Sequence, residues 1–186
     1  MIEIIHSVNN LHKLEKIPPN YGIELDLRGE LGKLVLSHDF EGIKNDFDEY
    51  IRLYKHNLLV VNIKESGIED MAISKLFKNN ISNFFLLDVE FPYILQNYQE
   101  KGEFLSLRFS KYEGVDTISN FIGKVKWVWI DTYEDFDLDT ETVSILNNFS
   151  LCLVSPSRWG KKDKVEYYMD KFKSVNLTID AVMIEA

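Results

Sequence analysis

Two acidic residues separated by one position could carry out chemistry. Glu24 and Asp26 lie in the run YGIELDLRGE, where Ile23, Leu25 and Leu27 take the alternate positions. In a strand, both carboxylates then lie on one face, about 6.5–7 Å apart along the chain. Oxygen ligands on one face suit a hard divalent cation, Mg²⁺ or Ca²⁺, and also Mn²⁺. The alternative is a solvent-facing acidic pair on an edge strand.

Two histidines flank this acidic pair. His6 ends the first apolar run, and His38 follows a short run after the pair. Imidazole titrates near neutrality, so two facing histidines can supply a general base and a general acid. His12 and His56 lie in helix-like or loop contexts, where we expect ordinary structural roles. We interpret His6 and His38 as the acid/base candidates.

Basic residues end three of the strand-like runs. Lys64 is the principal candidate for a phosphate contact, with Arg28 and Arg108 as helpers, because positive charge at the same rim would attract a phosphate. Ordinary surface ion pairs are the alternative. The turn SPSRWG, which contains Arg158 and Trp159, either borders a substrate or is a simple turn.

Further candidates follow from the alternation of side chains along the strand-like runs. The fourth run is expected to point Leu86, Asp88 and Glu90 inward. Burying charges at such positions costs several kcal/mol each unless they pair or bind something, so a convergent polar rim is the simpler interpretation. The additional site candidates are Asp88, Glu90, Trp129, Asp131 and Glu185.

Eight short β-rich runs alternate with amphipathic segments along the chain. The runs cover 2–8, 21–28, 58–64, 84–89, 104–109, 125–131, 151–155 and 181–185. Helix-like segments cover 41–54, 69–77, 91–101, 116–122, 140–147 and 164–172, with at most two helical turns around 11–17. An extra run over 33–38, after Gly29 and Gly32, predicts a hairpin or extended excursion.

This alternation predicts an α/β fold with a parallel sheet. Eight parallel strands joined by helices close into a barrel, and nearly continuous apolar strands indicate that both faces are covered. We therefore expect one domain over residues 1–186, a compact (β/α)8 TIM-type barrel with shortened loops. A doubly wound open sheet is the competing architecture. In a barrel, the carboxyl ends of the strands hold the site.

The last run is followed directly by Ala186, so we expect no eighth helix. An apolar wall near the first, seventh and eighth strands would then be uncovered. We expect a homodimer through this face, or a neighbouring domain, to cover it.

Composition excludes several classes of function. The chain has 186 residues, 45% hydrophobic and 27% charged, with a net charge of −9. This charge argues against binding duplex nucleic acid or an anionic membrane surface. The sequence has neither an apolar run of about 20 residues, which a membrane span needs, nor a signal-peptide pattern. Cys152 is the only cysteine, so we expect a reducing, cytoplasmic setting.

Three stretches together resemble the phosphatidylinositol-phospholipase-C-like phosphodiesterases, especially their glycerophosphodiester phosphodiesterase branch. They are IIHSVNN, YGIELDLRGELGKLVLSHDF and LLVVNIKES, which contain Glu24-x-Asp26 and then His38-Asp39. The resemblance covers about the first third of the chain. After Lys64 it depends on the strand-helix rhythm and on the final DAVMIEA.

The resemblance implies roles for these residues. His6 and His38 would be the acid/base pair, Glu24 and Asp26 metal ligands, and Lys64 a neighbour of the phosphate. Two positions depart from the family pattern. Ser7 stands where an arginine usually follows the histidine, and Asn62 stands where a third metal carboxylate is expected. The Asn62 amide oxygen can still bind a hard cation, with one negative charge fewer, and Asp88 or Glu90 could substitute.

The expected function is metal-assisted cleavage of a small phosphodiester, which makes the chain a phosphoric diester hydrolase. One histidine would deprotonate water or a substrate hydroxyl, the latter giving a cyclic phosphate, and the other would protonate the leaving alkoxide. A non-catalytic barrel that binds a phosphorylated ligand or a protein partner is the second hypothesis. A different barrel enzyme acting on a sugar phosphate, such as an isomerase, is the third.

Overall fold

A computed structural model describes residues 1–42 and 44–185 of the chain. Its strands are β1 (Ile2–Ile5), β2 (Gly22–Glu30), β3 (Lys33–Leu36), β4 (Asn45–Asp46), β5 (Leu59–Ile63), β6 (Phe84–Leu87), β7 (Ser106–Phe109), β8 (Trp127–Ile130), β9 (Ser150–Val154) and β10 (Ala181–Ile184). Its helices are α1 (Leu11–Leu14), α2 (Phe47–Leu53), α3 (Glu69–Lys78), α4 (Phe91–Lys101), α5 (Val115–Ser119), α6 (Thr140–Leu146) and α7 (Val165–Ser174). None of these described helices combines the length and apolarity needed to cross a membrane.

Eight of the strands close into a parallel barrel. Its order is β1, β2, β5, β6, β7, β8, β9 and β10, and β10 returns to pair with β1 from Ile2↔Ala181 to Ile5↔Ile184. The contact between β6 and β7 is a single parallel bridge, Leu86↔Leu105. Each barrel strand after β2 follows a short helical crossover, as parallel pairing requires. The predicted (β/α)8 barrel is confirmed, and the open-sheet alternative is wrong.

The predicted excursion after the second barrel strand is an antiparallel hairpin. β2 runs beyond the barrel to Glu30, turns through Leu31 and Gly32, which both have positive φ, and returns as β3 with Leu27 opposite Leu36. The short β4 then pairs with β3. This hairpin brings the chain back to the rim of the barrel after the site carboxylates.

The helix predicted over 41–54 begins only at Phe47. Asn45 and Asp46 form β4, and the Asp46 side chain caps α2 by accepting a hydrogen bond from the Glu49 N–H at 2.9 Å. An aspartate in this position satisfies one of the free N–H groups at a helix start. Ile43, which the prediction placed in this helix, lies outside the described residues.

The barrel interior is a hydrophobic core of its own. Its members come from six of the eight barrel strands, all but β2 and β7, and include Ile4, Val60, Phe85, Leu87, Trp127, Trp129, Cys152 and Met183. Phe85 and Trp127 stack with ring centroids 4.6 Å apart and fill the bottom of the barrel. Since Phe85 and Leu87 point inward while Leu86 packs toward the helices, the parity predicted for the fourth run was wrong by one residue.

Within the described residues, seven α-helices are present and none follows β10. The outer side chains of β1 and β10 are nevertheless buried: Ile5 is 9% exposed and Val182 is 7% exposed. Both belong to the hydrophobic cluster that contains Phe172 of α7 and Leu177 of the following loop. The expectation of an uncovered apolar wall is therefore wrong, and this face gives no physical reason for a homodimer.

Candidate active site

A polar depression of about 170 Å³ lies at the carboxyl ends of the barrel strands. It sits on the apolar plug described above, of which Leu87, Trp129, Val154 and Met183 form the floor. Its polar lining consists of His6, Glu24, Asp26, His38, Asn62, Lys64, Asp88, Arg108, Asp131 and Arg158. Residues from widely separated parts of the chain therefore converge at the end of the barrel where such folds place their sites.

The two carboxylates of β2 are buried side by side and held by the turn after β1. Glu24 and Asp26 are each 1% exposed. Ser7 adopts φ 51°, and its N–H donates to Glu24 Oε2 at 2.7 Å. The Asn9 amide donates to Asp26 Oδ2 at 2.7 Å and accepts from the Asp26 N–H at 2.8 Å. A left-handed serine is uncommon, and such strain is typical of functional sites.

Burial makes the negative charge of Glu24 unfavourable. Desolvation, together with the neighbouring Asp26, raises the pKa of Glu24 to about 7, although the hydrogen bonds from Ser7 and Asn62 oppose this shift. Lys64 also opposes it. A buried carboxylate of this kind is stabilised when a cation binds beside it, because the positive charge compensates for the hydration that the carboxylate has lost.

Asn62 completes a set of oxygen donors with the two carboxylates. It is directly opposite Asp26 in the pairing of β2 with β5, and its amide N–H donates to Glu24 Oε1 at 3.1 Å. Its other polar atom, Oδ1, is buried and makes no hydrogen bond with any described residue. An unpartnered buried oxygen normally costs about 1–3 kcal/mol, so it points to a missing partner.

These donors fit a hard divalent cation chemically. Two carboxylates and one amide oxygen are the ligand types that Mg²⁺ and Ca²⁺ prefer. No trio of His, Cys, Asp or Glu with the spacing of a metal site occurs in the part of the chain that the structure describes. The fit therefore depends on the Asn62 oxygen as third donor.

Lys64 places a positive charge next to the carboxylates. It follows β5 on the same face as Asn62, and its Nζ lies 3.2 Å from Asp26 Oδ1. Its backbone N–H donates to the Leu27 carbonyl at 2.9 Å, which holds the residue at the strand end. The ammonium group can thus reach an anion above Asp26.

His6 lies directly above Glu24, at the end of β1. Its Nε2 is 3.9 Å from Glu24 Oε2, and its Nδ1 is 3.8 Å from Glu185 Oε1. Burial, reinforced by the positive charge of Arg158, lowers the pKa of His6 below 6.5, although Glu185 and Asp26 oppose this shift. The imidazole is therefore mostly neutral at pH 7 and can accept a proton. Lys13 fixes the turn by donating to the carbonyls of His6 and Ser7.

His38 enters the depression from the solvent side. Its side chain is 60% exposed, and its Nδ1 lies 2.8 Å from Asp39 Oδ1. With Nδ1 occupied by this carboxylate, Nε2 is the ring nitrogen that can exchange a proton with a ligand. The structure thus brings both predicted histidines to one depression, in very different environments.

Arg28 does not line the depression. Its guanidinium donates to the His38 carbonyl at 2.9 and 3.3 Å and to the Lys64 carbonyl at 3.2 Å. It therefore ties the hairpin loop to the end of β5. The sequence interpretation gave Arg28 a phosphate contact, whereas its contacts make it a residue that positions His38 and Lys64.

Arg108 lines the depression but is surrounded by acids. It pairs with Asp88, with Asp131 and, at 3.1 Å, with Glu113. Burial raises the pKa of Asp131 to about 6, and Arg108 opposes the shift. Asp88 reaches this cluster because it adopts φ 58° directly after β6. With three carboxylates around it, Arg108 is poorly placed to bind a phosphate.

The remaining candidates fall in three places. Trp129 forms part of the floor, and Glu185 stands beside His6 at the rim. Glu90 precedes α4 and faces another depression, with Ser66 and Tyr93. Glu90 is therefore not brought to the site, because α4 begins directly after it.

Sequence reasoning missed Asn9 and Lys13 and gave Arg158 only a loose role. Asn9 acts through a turn whose left-handed residue, Ser7, carries no signature in the sequence. Arg158 lies on the 3₁₀ turn Pro156–Trp159, which Ser155 caps. The clustering of Pro, Ser and Arg after the seventh run was the available signal.

No family sequence model matches the chain, and no curated protein is significantly similar to it in sequence. Solved structures are similar. A glycerophosphodiester phosphodiesterase from Agrobacterium tumefaciens superposes with a TM-score of 0.64 at 13% identity, over 98% of this chain and 96% of that one. A glycerophosphoryl diester phosphodiesterase from Parabacteroides distasonis gives a TM-score of 0.64 at 12% identity, over 99% and 82%. At such identities the likeness shows a shared fold.

Proposed function

We propose that this chain is a divalent-metal-dependent phosphodiesterase, a divergent relative of the glycerophosphodiester phosphodiesterases, that cleaves a small phosphodiester. The observation that carries the proposal is the convergence of Glu24, Asp26 and the unpartnered Asn62 Oδ1 beneath His6. The likeness of the barrel to two phosphodiesterases supports it.

The metal ligands would be Glu24, Asp26 and Asn62. Mg²⁺ or Ca²⁺ suits these oxygens best, and Mn²⁺ would also fit. A cation held there would polarise the phosphoryl oxygens of a bound diester. Lys64, 3.2 Å from Asp26, would offset the negative charge that grows on the phosphoryl group during cleavage.

The two histidines would move the protons. Neutral His6 would act as base and remove a proton from water or from a neighbouring hydroxyl of the substrate. His38, oriented by Asp39, would donate a proton through Nε2 to the leaving alkoxide. Both routes need the same two groups, and the hydroxyl route would release a cyclic phosphate first.

The size of the site favours a small substrate. About 170 Å³ of polar space accommodates a phosphate and a short polyol rather than two bulky groups. We therefore propose glycerophosphodiester-like molecules as the substrate class.

Turnover of bis-p-nitrophenyl phosphate tests this function. We expect hydrolysis with Mg²⁺, Ca²⁺ or Mn²⁺ that is lost in EDTA. His6→Ala and His38→Ala should each lower kcat by at least about 100-fold, the range of general acid-base catalysis. His12→Ala, which changes an exposed histidine of α1, is the matched control and should leave turnover unchanged. Full activity in both site variants would contradict the assignment.

A non-catalytic barrel that binds a phosphorylated ligand is the second candidate. Asn62 in place of a carboxylate and Ser7 in place of a cation both weaken the metal and phosphate contacts that catalysis needs. This candidate predicts that phosphate binds in the depression while no diester is turned over with any of the three cations.

A further inference from the structure

Three positively charged side chains line the depression among the described residues: Lys64, Arg108 and Arg158. Two of them are already paired at short range. Lys64 lies against the buried Asp26, and Arg108 is enclosed by Asp88, Asp131 and Glu113. Arg158 differs, because its guanidinium makes one long ionic contact, 3.6 Å from NH1 to Glu185 Oε1, and is 36% exposed.

Arg158 stands on the His6 side of the depression. The same oxygen, Glu185 Oε1, lies 3.8 Å from His6 Nδ1 and 3.6 Å from Arg158 NH1, so one carboxylate separates the guanidinium from the imidazole. Lys64 follows β5, which pairs with β2 on the side opposite β1 and therefore lies on the other side of Glu24 and Asp26. An anion above the carboxylates and beside His6 would therefore have Lys64 on one side and Arg158 on the other.

The local structure holds Arg158 in place without engaging the N–H groups of its guanidinium. Its backbone N–H donates to the Ser155 carbonyl at 2.9 Å, and Gly160 with φ 71° ends the turn. The guanidinium carbon lies over the Trp159 ring, 5.4 Å from its centre. A cation–π contact of this kind orients the guanidinium and leaves its N–H groups to donate to an anion.

The first barrel strand supplies no competing cation. Ser7 follows His6, and its N–H is bound to Glu24. The Lys13 ammonium group donates to the carbonyls of His6 and Ser7, and Lys13 does not line the depression. The need for positive charge beside His6 is thus met from the turn after β9.

We infer that Arg158 binds the non-bridging oxygens of the substrate phosphate and is, with Lys64, one of two cationic phosphate ligands of the site. This inference rests on the proposed function and names the residue that holds its substrate. Glu185 keeps the guanidinium in place until the phosphate, which makes shorter and better aligned hydrogen bonds, replaces it.

Binding of inorganic phosphate, measured by isothermal titration calorimetry, tests the inference with kcat and KM for bis-p-nitrophenyl phosphate as second readout. Arg158→Gln should weaken phosphate binding by about 10- to 100-fold, as expected for a lost charge-assisted hydrogen bond. Arg158→Lys should recover part of the loss. Arg52→Gln, on the outer helix α2, is the control and should bind phosphate as the wild type does. Mn²⁺ affinity should be the same in all these proteins.

Glu185→Gln separates phosphate binding from a structural ion pair. If Arg158 only braces Glu185, Glu185→Gln should weaken phosphate binding as much as Arg158→Gln does, and the inference is overturned. If Arg158 binds phosphate, Glu185→Gln should bind it equally or more tightly. If Arg158→Gln does not fold, Arg158→Lys takes its place in this comparison, and its phosphate affinity should still be lower than that of the wild type.

The two proposals can fail separately. Wild-type turnover with equal phosphate affinity in wild type and Arg158→Gln would overturn the role of Arg158 and leave the phosphodiesterase standing. Phosphate binding that depends on Arg158, with no turnover by the wild type, would overturn the phosphodiesterase alone. A wild type that binds no phosphate would overturn the role of Arg158 as a phosphate ligand.

Discussion

At the scale of single residues, Glu24 shows how the site opposes the stability of the fold. Its carboxylate is 1% exposed, and its pKa in the folded protein, about 7, lies above the ordinary value of 4.5. The folded state therefore holds the proton more tightly than the unfolded state does. The stability that the folded protein gains from holding this proton is complete below pH 4.5 and is lost as the pH rises through 7.

Glu24→Gln should therefore stabilise the metal-free protein at pH 8, and it should abolish the turnover that the added cation supports. The expected gain in the free energy of unfolding is on the order of 2 kcal/mol at pH 8 and much smaller at pH 5. The Gln amide can still accept from the Ser7 N–H. A flip of the Asn62 amide, which now donates to Glu24 Oε1, would let Asn62 Oδ1 accept from the new NH₂ group. Urea unfolding in EDTA at both pH values measures the effect.

Glu15→Gln, which changes an exposed acid after α1, is the control and should show no such pH dependence. A Glu24→Gln effect of equal size at pH 5 and pH 8 would show that burial does not disfavour the Glu24 charge.

Residue-level prediction from the sequence succeeded where strict alternation applies. Glu24 and Asp26 could be placed on the inner face because Ile23, Leu25 and Leu27 had to face the helices. Their partners could not be found in this way. Asn9 reaches Asp26 only because Ser7 adopts a positive φ, and local sequence does not specify that conformation.

At the scale of elements, the β2–β3 hairpin positions His38. The Arg28 guanidinium fastens its returning end to β5 through the carbonyls of His38 and Lys64. The neighbouring Ser37 also anchors this end, because its N–H donates to the Asp26 carbonyl at 3.0 Å and its hydroxyl donates to the Asp39 carbonyl at 2.6 Å. The Arg28 link acts on His38 itself, through the His38 carbonyl.

Arg28→Gln should lower kcat by about 10- to 100-fold, because small displacements of a catalytic group are costly. Since Arg28 does not line the depression, phosphate affinity and KM should stay close to the wild-type values. Steady-state kinetics and calorimetry with inorganic phosphate measure both, with Arg52→Gln as the control. A variant with unchanged kcat and weakened phosphate binding would restore the sequence interpretation of Arg28 as a phosphate ligand.

Local sequence was not sufficient to predict where two of the elements begin or end. Glu90 was placed inward by extending the alternation of the fourth run, but β6 ends at Leu87 and Asp88 turns the chain with a positive φ. The start of α2 was likewise set six residues too early, at 41 rather than at Phe47. In both cases a tertiary contact, with Arg108 or with β3, ended the regular pattern.

At the scale of the whole molecule, the barrel interior consists of an apolar layer and a polar layer with different roles. The aromatic and aliphatic plug around Phe85 and Trp127 closes the bottom, so the polar layer above it is open only at the carboxyl ends. The count of eight β-rich runs predicted this architecture directly. Coverage of β1 and β10 was not predictable, because Ile5 and Val182 are buried in a hydrophobic cluster whose other members, such as Phe172 of α7 and Leu177, are distant in sequence from β1.

The central claim is that the polar layer is built around one divalent cation. Crystals soaked in Mn²⁺ test it most directly, because anomalous scattering locates the ion without reference to activity. We predict one peak at the carboxyl end of the barrel, within about 2.0–2.4 Å of oxygens of Glu24, Asp26 and Asn62. An intact barrel with no peak between these three residues, at a Mn²⁺ concentration that supports turnover, would contradict the account.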